Sequence, residues 1–404
     1  MLVFYNIGIR LYHLGVLIAS IFNPKAKLWL KGRQGLLEKI EQEVSGHSGE
    51  TVWVHCASLG EFEMARPIME GIKNSNSESR IILTFFSPSG YEIRKNYELA
   101  EHVFYLPLDT ASNAALFVKA IKPTKTIFVK YDLWFHHLNA AKKAGSNLIL
   151  ISAQFRENQL YFKWFGSFGR DALKLFDQIF LVDSNSEKLL YQIDVKSTTV
   201  CGDTRYDRVM EISKNAEPIP EIEQFKGEGK LMVCGSTWPE DESLLAKCVE
   251  SLEETKWLIA PHEVGEENIQ RLERLFPDSI RLSLFSNQEA KVVLVDSIGQ
   301  LNKLYQHADV AYVGGAFKTG LHNMLEATAY GIPTVFGPDC TRFLGAGEMV
   351  EKGLAFTISN QSELNNKLDV LLEKNQSQLN SEVLSFMNAR TGATSAILEY
   401  TNKC

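Results

Sequence analysis

Beyond residue 50 the chain alternates short apolar runs with segments of helical length, and this alternation constrains the fold more than any other feature. The runs are "TVWVHCA", "RIILTFF" (80–86), "HVFYLP" (102–107), "TKTIFVKY" (124–131), "NLILISAQ" (147–154) and "QIFLVDS" (178–184). Segments such as "SNAALFVKAIK" and "FHHLNAAKKAG" lie between them. Continuous apolar strands separated by helices predict a parallel sheet covered on both faces. The rhythm breaks at 208–230, "RVMEISKNAEPIPEIEQFKGEGK", whose prolines, glycines and charges read as a linker. A second series follows: "KLMVCGS", "KWLIAPH", "KVVLVDS", "DVAYVGG" and "PTVFGP". The expected architecture is α/β, with two Rossmann-like doubly wound domains (34–207 and 231–404). Their strand C-termini are expected to face a shared cleft, since ligands of open α/β sheets bind beyond those ends.

The first 33 residues are of a different kind. "MLVFYNIGIRLYHLGVLIASIF" is mostly apolar, and "NPKAKLWLKGR" follows it. The polar exceptions Asn6, Arg10 and His13 recur at helical spacing and so share one narrow face. Arg10 spoils a signal-peptide core and is costly in a spanning helix. The segment reads as an amphipathic or partly inserted membrane-anchoring helix, with Lys25, Lys27, Lys31 and Arg33 facing anionic headgroups; a core helix of the first domain is the alternative. The basic flank predicts that the body lies on the cytoplasmic side. A net charge of −7 argues against a general nucleic-acid binder. The six cysteines lack C-x-x-C spacing and the nine histidines form no HExxH-type cluster, so neither disulfides nor a metal site is expected.

Polar and glycine-containing elements fall at the predicted strand ends. In "CASLGEFEMARP" Glu61 opens a helix, and Ser58-x-x-Glu61 fits a capping box, so Glu61 is either a cap or a catalytic base. Gly60, poor for helix propensity, permits close approach by a substrate. "CGSTWPEDE" (234–242) places Ser236 and Thr237 before a helix start, with Thr237-x-x-Glu240 as a second capping box. Backbone amides at such a start can hold an anion. "APHE" puts Pro261 and His262 at the next strand end, and "DSIGQL" forms a third such turn. The richest stretch is "VGGAFKTGLHNMLEATAYGIPTVFGP" (313–338). There Gly314 and Gly315 allow close backbone approach, and a helix starting near Gly320, His322 and Asn323 would offer its positive end to a phosphate while Glu326 accepts from ribose hydroxyls. Asn323-x-x-Glu326 also fits a capping box.

The pattern G-x-H-N-x-x-E-x-x-x-x-G-x-P in a second Rossmann-like domain resembles the donor site of GT-B glycosyltransferases. More narrowly, four blocks in order resemble bacterial 3-deoxy-D-manno-octulosonic acid (Kdo) transferases: "HCASLGEFEMARPIMEGIK" (55–73), "YDLWFHHLNAAKKAG" (131–145), "CGDTRYD" (201–207) and "GGAFKTGLHNMLEATAYGIPTVFGP" (314–338). The resemblance implies transfer of Kdo from CMP-Kdo to the lipid A precursor lipid IV(A), an inverting reaction with Glu61 as general base, at the cytoplasmic side of the inner membrane. It implies CMP contacts from Pro261, His262, Ile298, Gly299, Gln300, Asn323, Met324, Leu325 and Glu326, and a charge-stabilising role for Arg205, where the family more often has lysine. CMP-Kdo is then the donor substrate and no cofactor is expected. His262 departs from the family's usual Pro-Arg. The block that usually reads "ETELW" is "KYDLW" here, so Lys130 replaces a carboxylate and Asp132 is the nearest acid. Arg66 either meets acceptor phosphates or is a solvated helix residue. Two other readings are a UDP-sugar enzyme of the same architecture, transferase or epimerase, and a non-catalytic membrane-associated nucleotide-sugar binder. The sequence leaves the oligomeric state open.

Overall fold

A computed structural model describes residues 1–404 except 48, 287, 288, 342, 344, 374 and 375. The chain forms two compact units, Met1–Asp207 with Thr391–Cys404, and Arg208–Arg390. Each is built on a seven-stranded sheet in which every pairing is parallel.

The first sheet contains β1 (Thr51–Cys56), β2 (Arg80–Phe85), β3 (His102–Tyr105), β4 (Lys125–Val129), β5 (Asn147–Ala153), β6 (Gln178–Leu181) and β7 (Thr198–Val200). Its order is β3-β2-β1-β4-β5-β6-β7. Both faces are apolar because successive side chains leave on opposite sides. Val52, Val54 and Cys56 join one buried cluster with Phe62 and Ile68, while Trp53 joins the other with Phe117 and Phe128. The second sheet contains β8 (Lys230–Thr237), β9 (Thr255–Pro261), β10 (Ser279–Arg281), β11 (Val292–Leu294), β12 (Val310–Val313), β13 (Thr334–Phe336) and β14 (Ala355–Thr357), in the order β10-β11-β9-β8-β12-β13-β14. Strand order reverses between β1 and β4 in one unit and between β8 and β12 in the other. Those are the switch points where doubly wound sheets open a crevice at their strand C-termini.

Two boundaries expected from the sequence need correction. Residues 208–230 are not an extended linker, since the helices Thr204–Lys214 and Pro220–Lys226 occupy most of them. Nor does the second domain run to residue 404. The last helix, Ala393–Thr401, returns to the first unit, where Ile397 is fully buried. The Asp207 carboxylate accepts from Gly392 N–H (2.6 Å) and Thr394 N–H (2.7 Å), satisfying amides that the start of a helix leaves without partners. Gly71 admits Leu398, whose Cδ1 lies 2.2 Å from where a Cβ would stand.

The N-terminal helix, Leu2–Ala19, lies on the first unit. Tyr5 donates its hydroxyl hydrogen to Asp109, Asn6 Oδ1 accepts from His136 Nε2 (2.6 Å), and Ile9 is buried. Tyr12 and His13 meet Trp29 with ring centroids 5.8 and 6.2 Å apart. Asn6 and His13 therefore face the body of the unit, whereas Arg10, at helical spacing from both, is exposed. Arg33 is not a headgroup contact. Its guanidinium lies 3.8 Å from the Trp29 ring centroid and donates to the carbonyls of Trp29, Phe86 and Leu106. Burial pulls its pKa down to about 9.

Candidate active site

In the first unit the switch point gathers the ends of β1 and β4. After β1 the chain turns at Ser58 into the helix Leu59–Ser75 and brings Glu61 into its first turn. The reciprocal capping box expected there is not formed. The Ser58 side chain accepts no helix amide; its hydroxyl donates to Glu61 Oε2 instead. Glu61 Oε1 lies 3.5 Å from Lys130 Nζ, and the carboxylate side chain is 15% exposed. Each oxygen thus has its own partner, one neutral and one cationic. A Cβ at Gly60 would meet only Ser58 Oγ, at 3.9 Å, so packing does not demand glycine there and space is left over the helix start.

Lys130 reaches Glu61 from an unusual backbone. Its φ is +63°, a left-handed conformation that costs an L-residue roughly 1–2 kcal/mol, and its N–H donates to Ile151 O at 2.9 Å. Strain kept at a charged residue beside a carboxylate is typical of functional sites. Two residues on, Asp132 Oδ2 accepts from Trp134 Nε1 and lies 2.8 Å from His55 Nε2. His55 is fully buried in β1 and was not foreseen from the sequence. Its Nδ1 lies 2.9 Å from Thr84 Oγ1, which also accepts from Trp53 Nε1. The Thr84 hydroxyl also donates to Val54 O at 3.4 Å, and His55 Nε2–H, facing a carboxylate, donates to Asp132. Asp132 is held by this chain of donors, not by Lys130.

Arg205 stands at the start of the helix Thr204–Lys214, which Thr204 ties to the glutamate helix by donating to Met64 O at 2.7 Å. Its guanidinium grips the buried Asp203 through Nε (3.1 and 3.2 Å) and Nη2 (2.8 Å). Burial opposes the charge, but Asp203, with a smaller contribution from Glu61, more than offsets it and raises the arginine pKa. Glu61, Lys130 and Arg205 therefore share one electrostatic neighbourhood. Arg66 pairs with Glu70 at 2.9 Å, as a helix-surface residue does.

In the second unit the ends of β9, β8 and β12 lie side by side, and those of β8 and β12 meet on Asp241. This buried carboxylate accepts from Trp238 N–H (2.9 Å), Gly315 N–H (3.0 Å) and Tyr312 Oη–H (2.8 Å). Burial raises its pKa against those three donors. The helix start is capped by Asp241, which accepts from Trp238 N–H, and not by Thr237 with Glu240, because β8 continues through Thr237. Glu240 pairs with Lys318 at 3.0 Å, and Thr237 donates to the buried Glu242 at 3.0 Å. Ser236 takes φ +53° at the strand end. Gly314 is required by packing, since a Cβ would lie 2.4 Å from Ser236 O and 2.8 Å from Asp241 Oδ2. Gly315, at φ +93°, makes room for the His322 ring.

The three strand ends carry a cluster of rings. Trp238 Nε1 donates to His322 Nε2 at 2.9 Å, with the rings 12° from coplanar. The exposed His262, next to the buried Pro261, lies against both at centroid distances of 4.7 and 4.5 Å. Because an indole N–H only donates, His322 is neutral with its own hydrogen on Nδ1. Burial, reinforced by His262, pulls its pKa down to about 4.

The helix expected after Gly320 proves to be a single turn, Leu325–Thr328, too short to offer a substantial dipole. Asn323 Nδ2 donates to Glu326 Oε1 at 2.8 Å, while Met324 and Leu325 are buried. Ile298 (87% exposed), Gly299 (φ +90°) and Gln300 follow β11, which neighbours β9. Sequence reasoning missed Trp238 and Asp241; the tryptophan at a strand-to-helix turn in "STWPED" was the available signal.

Comparison with known proteins gives these arrangements a family. A family model described as 3-deoxy-D-manno-octulosonic-acid transferase (kdotransferase) matches residues 30–208. The 3-deoxy-D-manno-octulosonic acid transferase of Aquifex aeolicus is 30% identical over 330 residues, covering 80% of this chain and 86% of that protein. The protein of the same name from Chlamydophila psittaci is 29% identical, covering 73% and 71%. UDP-GlcNAc 2-epimerase from Neisseria meningitidis, solved with UDP-GlcNAc, superposes with a TM-score of 0.62 at 15% identity, covering 88% of this chain and all of that one. Acinetobacter baumannii MurG superposes at 0.56 and 13% identity over 88% of this chain. These two share the GT-B type of fold. By the relatives in sequence and the matching family model, the chain belongs to the Kdo transferases, a family of glycosyltransferases.

Proposed function

We propose that the protein transfers Kdo from CMP-Kdo to the lipid A precursor lipid IV(A) in lipopolysaccharide biosynthesis, with Glu61 as general base. The observation that carries the reading is Glu61 itself. It is a carboxylate at the switch point of the first sheet, turned away from the helix amides it was positioned to cap and set between Ser58 and Lys130. An ionised carboxylate within hydrogen-bond reach of an acceptor hydroxyl accepts its proton as the oxygen bonds to the anomeric carbon. The bond from that carbon to the CMP phosphate oxygen breaks, CMP leaves with the bonding pair, and attack opposite the leaving group inverts the centre. The donor carries its own leaving group, so the balance needs no cofactor. Arg205, held by Asp203, supplies fixed positive charge near Glu61 for the carboxylate or phosphate of the reacting sugar nucleotide. The strand-end turns of the second unit, Pro261–His262, Ile298–Gln300 and Asn323–Glu326, with Ser236, Thr237, Gly315 and His322 around them, are the nucleotide contacts. Lipid IV(A) implies an inner-membrane location on the cytoplasmic side, for which the N-terminal helix supplies the attachment.

The test is CMP release from CMP-Kdo with lipid IV(A), comparing wild type with Glu61→Gln while thermal unfolding tracks the fold. Loss of turnover at unchanged melting supports the base. Normal turnover with earlier melting would make Glu61 a structural residue. UDP release from a UDP-sugar, without CMP release, would replace the donor assignment.

A further inference from the structure

Where β4 ends at Val129, the backbone turns through Lys130 before it continues to Asp132. At φ +63° Lys130 occupies a region open to glycine and costly for lysine, and its N–H is fixed on Ile151 O at 2.9 Å. The turn brings its ammonium to 3.5 Å from Glu61 Oε1, with the lysine side chain 31% exposed. Other cations of the first unit are engaged elsewhere. Arg205 grips the buried Asp203, Arg66 and Arg94 pair with Glu70 and Glu63, and Arg33 donates to three backbone carbonyls. Among the described residues Glu61 is the one ion partner of Lys130, since Asp132 is held by His55 and Trp134.

The reaction proposed for Glu61 brings a second anion to this ammonium. An acceptor oxygen lies about 3 Å from the base that takes its proton and about 3 Å from the carbon it attacks, which puts that anomeric carbon about 4–6 Å from Glu61. In an aldose this carbon bears a hydrogen. In Kdo, a keto-sugar acid, it bears the sugar's carboxylate. The donor thus carries a negative group up to a negative base, and two carboxylates in one site repel until one of them takes up a proton. A protonated Glu61 could no longer act as a base. An ammonium beside it, with three hydrogens to donate, removes the conflict by serving both carboxylates.

We infer that Lys130 binds the carboxylate on the anomeric carbon of the donor sugar, bridging it to Glu61, and so selects a keto-sugar acid over an aldose; the assignment rests on the proposed reading of Kdo transfer with Glu61 as base. The family pattern usually has a carboxylate at this position, so the contact belongs to this chain and not to the family at large. Glycine would suit the backbone better than lysine does. The left-handed turn is kept at a cost, and what it places is the charge. Arg205, with Asp203 against it, then serves the departing phosphate.

Steady-state CMP release by the full chain, with CMP-Kdo and lipid IV(A) varied in turn, tests this in Lys130→Met, Lys130→Gly and Lys130→Arg. Lys130→Met keeps an unbranched side chain without the charge. Its KM for CMP-Kdo should rise about tenfold or more, as loss of a hydrogen bond to a charged group requires, with the KM for lipid IV(A) unchanged. Inhibition by CMP, which has no sugar carboxylate, should be unaltered. Lys130→Gly should show the same rise while melting at or above wild type, because glycine relieves the turn. Lys130→Arg should recover most of the donor affinity. A fall in kcat with the donor KM unchanged would make Lys130 only a partner of Glu61 and overturn the inference. So would a rise confined to the KM for lipid IV(A), an equal weakening of CMP, or melting of Lys130→Gly below wild type with the same kinetic loss. Each of these outcomes leaves Kdo transfer standing. No CMP release from CMP-Kdo by wild type would instead overturn that reading, and the role of Lys130 with it.

Discussion

His322 provides a sharp test of the ring cluster through acid. Its Nε2 accepts from Trp238, so protonation there replaces a hydrogen bond with two opposed N–H groups. Burial and the adjacent His262 push the same way and lower the pKa from an ordinary 6.5 to about 4. The unfolded chain therefore takes up this proton more readily than the folded one. The resulting stability is complete above about pH 6.5 and is lost as pH falls toward about 4. Full linkage between those two values amounts to about 2 kcal/mol at pH 5; solvent reaching part of the ring reduces this to about 1 kcal/mol. Urea unfolding followed at pH 7.5 and pH 5 should show that loss in wild type. His322→Gln should lose less between the two pH values, because the amide oxygen accepts from Trp238 without titrating. Histidine NMR gives the midpoint directly, the His322 resonance being the one missing from the variant. A midpoint at or above 6.5, or the same acid loss in both proteins, would refute the reasoning.

Further outcomes follow from the geometry of both units. Gly314→Ala forces a Cβ against Ser236 O and Asp241, and should destabilise the second unit by about 1–3 kcal/mol in urea unfolding; an unchanged midpoint would mean the strand end yields freely. Asp241→Ala leaves Trp238 N–H, Gly315 N–H and the Tyr312 hydroxyl without their acceptor, and should cost about 3 kcal/mol or more by the same measurement. Ile397→Ala should cost about 2–5 kcal/mol and speed amide exchange in the helix Leu59–Ser75, in the other half of the sequence from the substitution.

The fold was legible where strands are central, and at the four-residue edge His102–Tyr105, but not at the three shortest edges. Runs such as "TVWVHC" and "NLILISA" are buried on both faces and announce themselves by unbroken apolarity. The overlooked strands Thr198–Val200, Ser279–Arg281 and Ala355–Thr357 are three-residue edges with a partner on one side only, too short for any pattern to form. The C-terminal helix was assigned to the wrong unit because its apolar face says only that something covers it; Gly71 and Asp207, which receive it, lie far away in sequence, Asp207 by 185 residues from Gly392. In the candidate site, Glu61, Arg205, His262 and His322 were visible as polar residues at strand ends. The direction Glu61 faces was not visible, because Ser58-x-x-Glu61 spacing fits a cap whether or not one forms. His55 and Asp241 escaped notice for another reason: buried organisers look like any other polar residue until their partners are known.

The return of the last helix to the first unit also fixes an order of events during synthesis. Residues 208–390 are in effect an insertion in a domain whose two parts lie on either side of them in the sequence. A ribosome delivers nearly all of the first unit early, yet the place for Leu398 beside Gly71 and the Asp207 cap stay empty until residues 392–398 have been made. The second unit has all its residues earlier relative to its own length and can fold while the first still waits. Premature termination after Arg390 would therefore leave the second unit's sequence intact and expose apolar surface on the domain that carries Glu61, making the incomplete protein a substrate for chaperones and proteases.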